Sequence, residues 1–337
     1  MNVLSNFRNK WDKNSVIIWF QKIIKHCKKQ IKLAQLLAQS GEPNTQSKKM
    51  EKILSGKTIS VTGASGYLGK ALLDRLVKMG CKEIRCLDHH EQSAVETSML
   101  YPTTKWIVGD INDPIRILTL VQGADVVFHL AAQKVIPVAE ENPSLAIDSN
   151  IMGSANVARQ CVQGGVKECL GISTDKACKP LTVYGMSKYL MEKLFEQYNQ
   201  LNKTKFYCVR YGNVANSSGS VFEVWDKKGQ ANEVLEITDP EMTRFYWTVE
   251  EAVDFLFEAL EKKQIGKPLI PNMRAMRMGD VAEVFAEHYG VGIKEIGNRG
   301  NEKINEDLDE GITSDKVERF KRYEIKDFLK NLGLLNG

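Results

Sequence analysis

A threonine, an aspartate and two lysines lie close in sequence to a tyrosine in this 337-residue chain. Thr174, Asp175 and Lys176 end an apolar run, and Tyr184 and Lys188 follow in the order Tyr-Gly-Met-Ser-Lys. Side chains four residues apart lie on one face of a helix, and a nearby ammonium favours a phenolate that takes a proton at neutral pH. Because the Thr174 hydroxyl would reach the same substrate oxygen, these groups are suited to removing hydride from a secondary alcohol.

A glycine-rich turn upstream predicts a dinucleotide site. It follows an apolar strand pattern and opens a helix pattern. Gly63 permits a tight turn, Gly66 lets backbone amides reach a pyrophosphate, and Gly69 allows the helix to pack closely on the sheet. A glycine-rich turn without a ligand is the alternative, and the strand–turn–helix context favours cofactor binding. The residues predicted to bind the cofactor here are Thr62, Gly63, Ser65, Gly66, Tyr67, Leu68 and Gly69.

The end of the next apolar run bears on the choice of cofactor. Asp88 lies nineteen residues after Gly69, where a carboxylate accepts the ribose hydroxyls and repels a 2′-phosphate, which favours NAD over NADP. His89 and His90 leave NADP open, because either side chain, when cationic, can meet a phosphate. Later strand ends are expected to contact the same cofactor at Asp110, Ile111, Leu130, Ala131 and Ala132.

The overall composition is ordinary for a soluble globular protein. The seven cysteines are scattered, odd in number and without a Cys-x-x-Cys pair, which is typical of reduced thiols in a cytosolic protein and predicts neither disulfides nor a metal site. No apolar run approaches the length that spans a membrane, and we expect no secretory signal. The sequence therefore predicts a cytoplasmic protein.

The first 52 residues carry an unusual share of positive charge. Eleven lysines and arginines face three acids there, a net charge of +8, so residues 53–337 carry −4 of the total of +4. Apolar side chains recur at helical spacing over residues 16–38, among many lysines. This basic amphipathic helix is predicted either to lie on the inner face of an anionic membrane or to pack on the folded body or a sister subunit. Nucleic-acid binding is disfavoured, because the rest of the chain is acidic and has no recognition motif.

Past this basic segment, strand and helix patterns alternate, which predicts an α/β fold with a doubly wound parallel sheet. Several short segments also carry a family resemblance, namely His129–Ala132 with Lys134, Asn150–Gly153, Ser173–Ala177, Tyr184–Lys188, Val209–Val214, Gly219–Val221, Ile237–Pro240, Met242–Phe245 and Arg299 with Glu302 and Lys303. In these segments, residues 56–307 resemble the extended short-chain dehydrogenases/reductases that act on nucleotide sugars. Within that family the chain looks most like the bacterial UDP-N-acetylglucosamine 4,6-dehydratases.

The resemblance implies a Rossmann domain and a smaller substrate-binding region. We expect a helical extension over residues 1–52, the NAD-binding domain over 53–215 with parts of 235–275, and the nucleotide-sugar-binding region over 216–234 and 276–330. It adds Asn150, Tyr184 and Lys188 to the residues that bind the cofactor, and it implies a homo-oligomer. The implied substrate-binding residues are Lys134, Asn213, Ser220, Val221, Thr238, Arg244, Arg299 and Glu302. Arg244 and Arg299 suit the diphosphate, because guanidinium groups bind it with two hydrogen bonds.

The implied activity is 4,6-dehydration of a UDP-sugar, for surface polysaccharide or glycan biosynthesis, with tightly bound NAD(P) that is recycled. A 4-epimerase is the alternative, and it needs hydride exchange at C4 alone. A dehydratase must also remove the C5 proton and protonate the leaving C6 hydroxyl, which Lys176 and Asp175 can do as base and acid. The alternative interpretation of these two residues is an ion pair on a surface loop without a catalytic role. A non-enzymatic nucleotide-sensing scaffold is disfavoured, because such proteins usually lose the tyrosine or the lysine that this chain keeps.

Two departures from the family pattern lie in the substrate half. Ser218 stands where relatives usually carry an arginine, and the segment Arg299–Lys303 reads Arg-Gly-Asn-Glu-Lys where Arg-Pro-Gly-Glu-Lys is expected. The residues predicted for the redox chemistry are intact. The sequence therefore leaves open which sugar nucleotide the chain binds, and it need not be the family's usual one.

Overall fold

A computed structural model describes residues 45–217, 219–297 and 302–335. The predicted helix over residues 16–38, Ser218 and Arg299 lie outside the described residues. The chain divides into two compact units, Met1–Ile53 and Leu54–Gly337. The first described element is helix α1, Thr45–Leu54. In the part of the chain that is described, no helix combines the length and the apolar character needed to cross a membrane.

A six-stranded parallel sheet is the main element of the second unit. Its strands are β1 Thr58–Thr62, β2 Glu83–Asp88, β3 Lys105–Val108, β4 Val126–His129, β5 Glu168–Thr174 and β6 Lys205–Tyr211. Their order is β3-β2-β1-β4-β5-β6, and every neighbouring pair is parallel. Because the order reverses between β1 and β4, a crevice opens at the carboxyl ends of these two strands. The doubly wound parallel fold predicted from the sequence is confirmed.

Helices connect these strands and bury their apolar faces with the sheet. They are α2 Tyr67–Leu76, α3 Glu91–Leu100, α4 Pro114–Val121, α5 Ile136–Glu141, α6 Pro143–Ala146, α7 Ser154–Gln163 and α8 Val183–Asn199. A π-helical segment, Ile147–Gly153, joins α6 to α7, and a 3₁₀ turn, Asp175–Ala177, follows β5. π-helical turns are frequent at functional sites, and this one contains Asn150.

The elements that follow β6 include those that build a second apolar core. They are β7 Asn213–Val214, α9 Val221–Gln230, β8 Leu235–Ile237, β9 Thr243–Trp247, α10 Val249–Lys262, β10 Ala275–Arg277, α11 Met278–Tyr289, β11 Ile293–Glu295, β12 Asp307–Asp309, β13 Ile312–Thr313 and α12 Arg322–Asn331. They make three small sheets, ordered β10-β9-β7, β11-β8 and β12-β13. Phe222, Phe285 and Ile325 are fully buried in this core.

The elements after β6 do not all pack with the same core. Helix α10 packs with the main sheet, because its Phe257 meets Phe128 of β4 edge to face and its Asp254 pairs with Arg75 of α2 at 2.8 Å. Strand β8, in contrast, contributes Leu235 to the second core. The predicted domain boundaries stay a prediction. They must assign α10 to the main sheet and β8 to the second core.

Candidate active site

The glycine-rich turn lies between β1 and α2, and its backbone is closely packed. Gly63 has a φ of +68°, and a Cβ on it would lie 2.7 Å from the backbone nitrogen of Ala131. A Cβ on Gly69 would lie 2.5 Å from the carbonyl oxygen of Ala64. Gly66 is the N-cap of α2 and has no side chain to cap it, so the first N–H groups of the helix are left for an anion. The turn therefore fits the pyrophosphate of a dinucleotide.

Asp88, the last residue of β2, fastens this turn to the strand. Its Oδ2 accepts the N–H of Ser65 at 3.0 Å, and its Oδ1 accepts the N–H of His90 at 3.2 Å. The exposed His89 ring lies beside it, with Nδ1 3.5 Å from Oδ1. His90 Nδ1 accepts the N–H of Ser93 and so caps α3. The buried carboxylate is thus fixed at the edge of the crevice.

The other residues predicted to bind the cofactor lie at neighbouring strand ends. The N–H of Leu130 donates to the carbonyl of Thr62 at 3.2 Å, and the N–H of Ala131 to the Thr62 hydroxyl at 3.3 Å. Asp110 is exposed just after β3, and Ile111 beside it is buried. Tyr67 and Leu68 form the first turn of α2, and Ala132 is exposed in the loop after β4. Strands β1, β2 and β4 therefore bring the predicted residues to one edge of the sheet.

The buried Asn150 amide in the π-helical segment connects two parts of the site. Its Nδ2 donates to the carbonyl of Gln133 and to the Ser187 hydroxyl, at 2.8 and 2.9 Å, and its Oδ1 accepts the N–H of Gln133 at 2.8 Å. These bonds hold the loop after β4 against α8. The observed role of Asn150 is positional, and contact with the cofactor stays a prediction.

Asp175 lies at the carboxyl end of β5 with no exposed surface. Its Oδ1 accepts the Thr174 hydroxyl at 2.8 Å and two donors of Lys176, the backbone N–H at 2.9 Å and Nζ at 3.0 Å. Its Oδ2 is buried and has no hydrogen-bond partner among the described residues. Leaving a charged oxygen buried without a partner is costly, so such an atom is expected where a ligand supplies the missing donor.

The start of α8 packs directly against the 3₁₀ turn Asp175–Ala177. Thr182 caps the helix by accepting the N–H of Gly185 at 3.0 Å, and Glu140 accepts the N–H of Val183 at 2.7 Å. A Cβ on Gly185 would lie 2.2 Å from the carbonyl oxygen of Lys176. Glycine therefore allows the close approach that brings Tyr184 beside Thr174 and Asp175.

The protonation of Tyr184 differs from the sequence-based expectation. Burial raises the pKa of its phenol, and the opposing influences of Lys176 and Thr174 are too weak to reverse this. Lys188, expected to favour the phenolate, has its Nζ 3.1 Å from the Met191 sulfur, and burial lowers its pKa to about 8. The phenol is therefore protonated in the ligand-free site, because desolvation disfavours the charged form.

Lys176 is held between carboxylates from distant parts of the chain. Its Nζ lies 3.0 Å from Asp175 Oδ1 and 3.6 Å from Glu306 Oε1. Burial acts to lower the pKa of Lys176, but Asp175 and Glu306 outweigh it and raise that pKa, with Arg244 opposing them. Sequence reasoning named Glu302 and missed Glu306. Both glutamates lie in one short polar segment of the sequence, and only the folded structure shows that Glu306 is buried.

Arg244, predicted to bind the diphosphate, lies on β9 with its guanidinium mostly buried. The guanidinium donates to the carbonyls of Thr243 and Ile304 at 2.8 and 3.0 Å, and its Nε is 3.7 Å from Glu306 Oε1. Through these contacts and Glu306, β9 is connected to Lys176 in the turn after β5.

The remaining substrate-binding predictions lie after β6, except Lys134, which lies in the loop after β4. Asn213 donates to the carbonyl of Phe245 at 3.1 Å, and Ser220 caps α9 by accepting the N–H of Glu223 at 3.4 Å. Val221, Thr238 and Glu302 are partly buried, and Lys134 is exposed. Their roles stay predictions.

A buried ion pair behind the site was missed by sequence reasoning. Arg210 of β6 donates to both carboxylate oxygens of Glu192 on α8, at 3.1 and 2.6 Å, and to the carbonyl of Leu308 at 2.9 Å. The Ser173 hydroxyl donates to the same Glu192 carboxylate. The pair therefore fixes β5, α8, β6 and β12 relative to one another. Within the described ranges no cluster of histidine, cysteine or acidic residues could hold a metal ion.

Comparisons with known proteins identify the family of this chain. The sequence pattern of a family described as polysaccharide biosynthesis protein matches residues 59–327. The UDP-N-acetylglucosamine 4,6-dehydratase (inverting) of Campylobacter jejuni is 34% identical over 278 residues, 80% of this chain and 83% of that protein. The UDP-glucose 4-epimerase of Rickettsia bellii is 34% identical over 278 residues, 79% of this chain and 82% of that protein.

Solved structures support the same fold. The dTDP-glucose 4,6-dehydratase DesIV of Streptomyces venezuelae, solved with NAD and TYD bound, has a TM-score of 0.68 at 15% identity. The match covers 82% of this chain and 91% of that one. At this identity the likeness concerns the fold, which in that protein holds NAD.

Proposed function

The chain belongs to the polysaccharide biosynthesis protein family of extended short-chain dehydrogenases/reductases, and we propose that it is a nucleotide-sugar 4,6-dehydratase. The proposed substrate is UDP-N-acetylglucosamine or a related UDP-sugar, as in the Campylobacter jejuni relative. One observation carries the proposal. Asp175 is buried beside Lys176 and Tyr184, and no described residue gives its Oδ2 a hydrogen-bond partner, whereas a 4-epimerase has no use for an added acid and base.

NAD is the proposed cofactor. The turn at Gly63 and Gly66 would take the pyrophosphate, Asp88 the ribose of the adenosine, and Lys188 the second ribose. When bound, NAD would supply a hydride acceptor for C4 of the sugar, a hydride donor for C6, and a positive charge in the site. Asp88 favours NAD over NADP, because its carboxylate would meet a 2′-phosphate with like charge.

Tyr184 and Thr174 act on the 4-hydroxyl of the sugar. Positive charge beside the phenol lowers its pKa, so Tyr184 can take the proton from the 4-hydroxyl. Thr174 donates its hydroxyl proton to O4 and orients it. Residues 216–234 and 276–330 are proposed to hold the nucleotide sugar, with Arg244 on the diphosphate.

Asp175 and Lys176 share the single proton that elimination requires. In the ligand-free site that proton lies on Lys176, whose pKa is raised. Its transfer across the 3.0 Å hydrogen bond to Asp175 produces a neutral amine and a carboxylic acid. The C4 ketone acidifies C5, so Lys176 takes the C5 proton as the C5–C6 double bond forms. The C6–O bond breaks while Asp175 protonates the departing hydroxyl, which leaves as water and restores the ion pair. Hydride then adds to C6 and C5 takes up a solvent proton, which balances the proton that Tyr184 took from the 4-hydroxyl and releases, so that one water is lost overall.

Incubation with several UDP-sugars in deuterated water tests this function. A product lighter by one water, with deuterium at C5, is expected by mass spectrometry and NMR, and the NMR spectrum also gives the configuration at C5. An isomer of unchanged mass would favour the second candidate, a 4-epimerase like the Rickettsia bellii relative. Absence of turnover by the cofactor-loaded full chain would favour a scaffold.

A further inference from the structure

Glu306 brings a second carboxylate to Lys176 from just before β12. Its backbone is fixed, because its N–H donates to the Ser314 hydroxyl at 2.9 Å. Its side chain is almost fully buried, with 4% of the residue exposed. Oε1 lies 3.6 Å from Lys176 Nζ and 3.7 Å from Arg244 Nε. A carboxylate buried to this degree is costly unless cations compensate it.

The two carboxylates around Lys176 share an unusual feature. Asp175 and Glu306 each direct one oxygen to the ammonium, and each has a second oxygen that is buried without a hydrogen-bond partner among the described residues. Lys303 lies near the free oxygen of Glu306, but its Nζ is 4.0 Å away, beyond hydrogen-bond distance. The arrangement is therefore two acids around one ammonium, with hydrogen-bonding capacity left over on both sides.

The charges that act on Lys176 come from several elements. Asp175 and Glu306 raise its pKa, whereas Arg244 of β9 and burial lower it. Two phenols also face this group, Tyr184 of α8 and Tyr246 of β9, and burial raises the pKa of both, that of Tyr246 to about 12. Among the described residues that act on Lys176, negative charge therefore comes from Asp175 and Glu306.

We propose that Glu306 is a positioning residue for the elimination step, holding the Lys176 ammonium beside Asp175 and retaining on that pair the proton that the leaving hydroxyl needs. This inference rests on the proposed dehydratase function. A negative charge close to Lys176 raises the proton affinity of its amine, which shares the proton with Asp175. The pair therefore keeps its single proton as the pH rises, and Asp175 can still deliver it. Without Glu306, the pair would lose this proton at a lower pH, and elimination would stop while C4 oxidation continued.

Glu306→Gln tests the inference, because it keeps the shape of the side chain and removes its charge. The alkaline limit of water elimination should move to lower pH by about 1 to 3 units, the range expected for a charge at this distance. C4 oxidation, followed as reduced-nicotinamide absorbance after rapid mixing, should keep its pH profile. Glu310→Gln removes an exposed carboxylate from the turn after β12 and should leave both profiles unchanged.

A second readout requires no turnover. In substrate-free protein labelled with ¹³C at the lysine ε-carbons, the Lys176 signal, assigned with Lys176→Arg, should titrate at lower pH in Glu306→Gln. If Glu306→Gln does not fold, Glu306→Asp withdraws the charge by one methylene, and a smaller displacement in the same direction is expected.

Coinciding Lys176 titrations and elimination profiles in the unaltered chain and the variant would overturn the inference, even if the sugar is dehydrated. An equal displacement of the C4 oxidation profile would also overturn it, since Glu306 would then act on the whole site. If the unaltered chain dehydrates no nucleotide sugar, the proposed function fails, and the NMR titration alone decides whether Glu306 retains the proton.

Discussion

The glycine-rich turn after β1 (the dinucleotide turn, residues 63–69) and the turn after β5 (the acid–base turn, residues 174–177) both lie at the carboxyl ends of parallel strands, but they are built from different materials. The first turn is made of backbone: Gly63 and Gly69 have no room for a Cβ, and Gly66 leaves helix N–H groups without a cap. The second is made of buried charges, in which Asp175 and Glu306 enclose Lys176.

This difference determines which kind of change each turn tolerates. Adding one carbon to the dinucleotide turn forces backbone atoms apart, because interiors are close-packed. Removing one charge from the acid–base turn leaves the others uncompensated in a buried site. We therefore expect substitutions that add atoms to disrupt the first turn, and substitutions that keep the shape but remove a charge to disrupt the second.

The largest effect is expected from removing the acid and the base together. In Asp175→Asn with Lys176→Ala, no group remains to take the C5 proton or to protonate the leaving hydroxyl, so elimination should slow by about 10²- to 10⁴-fold. C4 oxidation should continue, and reduced nicotinamide should accumulate on the protein, visible by its absorbance. Tyr184→Phe is the matched contrast, because it should abolish oxidation itself and give no absorbance. Water release by the double variant at the unaltered rate would show that the assignment of acid and base is wrong.

A smaller effect is expected from one added carbon in the dinucleotide turn. In Gly69→Ala the new Cβ would meet the carbonyl oxygens of Ala64 and Gly63 at 2.5 and 2.6 Å, so the turn must shift. We expect loss of bound cofactor on gel filtration and a decrease of about 1 to 3 kcal/mol in the free energy of unfolding. Gly292→Ala is the control, because nothing lies within 4 Å of its Cβ position. Equal cofactor retention in the two variants would contradict a backbone-built site.

The contrast also explains what the sequence could reveal. The dinucleotide turn was predictable because its glycines, the preceding strand and the following helix are local, and Asp88 lies one strand away. The pairing of Lys176 with Glu306 joins positions 130 residues apart, and no local pattern separates Glu306 from Glu302. The raised pKa of the Tyr184 phenol in the ligand-free site could not be predicted from the sequence for a related reason, since burial of the phenol depends on residues from several strands and helices.

Cofactor preference tests whether a side chain also contributes to the dinucleotide turn. Both Asp88 carboxylate oxygens accept backbone N–H groups, so the carboxylate is fixed at the end of β2, where we propose that it meets the ribose. We expect NAD to bind more tightly than NADP by about tenfold or more, 1.4 kcal/mol, by calorimetry. Asp88→Asn should reduce this difference. Equal or tighter binding of NADP by the unaltered chain would mean that His89 or His90 sets the preference.

The smallest effect on catalysis is expected from the basic segment that precedes both turns. The amphipathic pattern over residues 16–38 has apolar side chains whose exposure to water would be unfavourable by roughly 1 kcal/mol or more each, so we expect a surface to cover them. Its lysines favour an anionic bilayer, with each contributing on the order of 1 kcal/mol near such a surface. Deleting residues 1–44 leaves α1 whole, and it should preserve dehydration while weakening binding to anionic liposomes.

Charge and apolar surface can be separated in the full-length chain. Replacing Lys22, Lys25, Lys28, Lys29 and Lys32 by glutamine keeps the apolar stripe and removes the charge. If the membrane interpretation holds, this variant should lose liposome binding at low salt, where the unaltered chain binds most strongly, because exposed charges are screened as salt rises. Aggregation of the truncated chain, or a change in its oligomeric state by light scattering, would assign the stripe to the folded body or to a sister subunit. In that case the segment would depend on packing, as the dinucleotide turn does, rather than on charge, as the acid–base turn does.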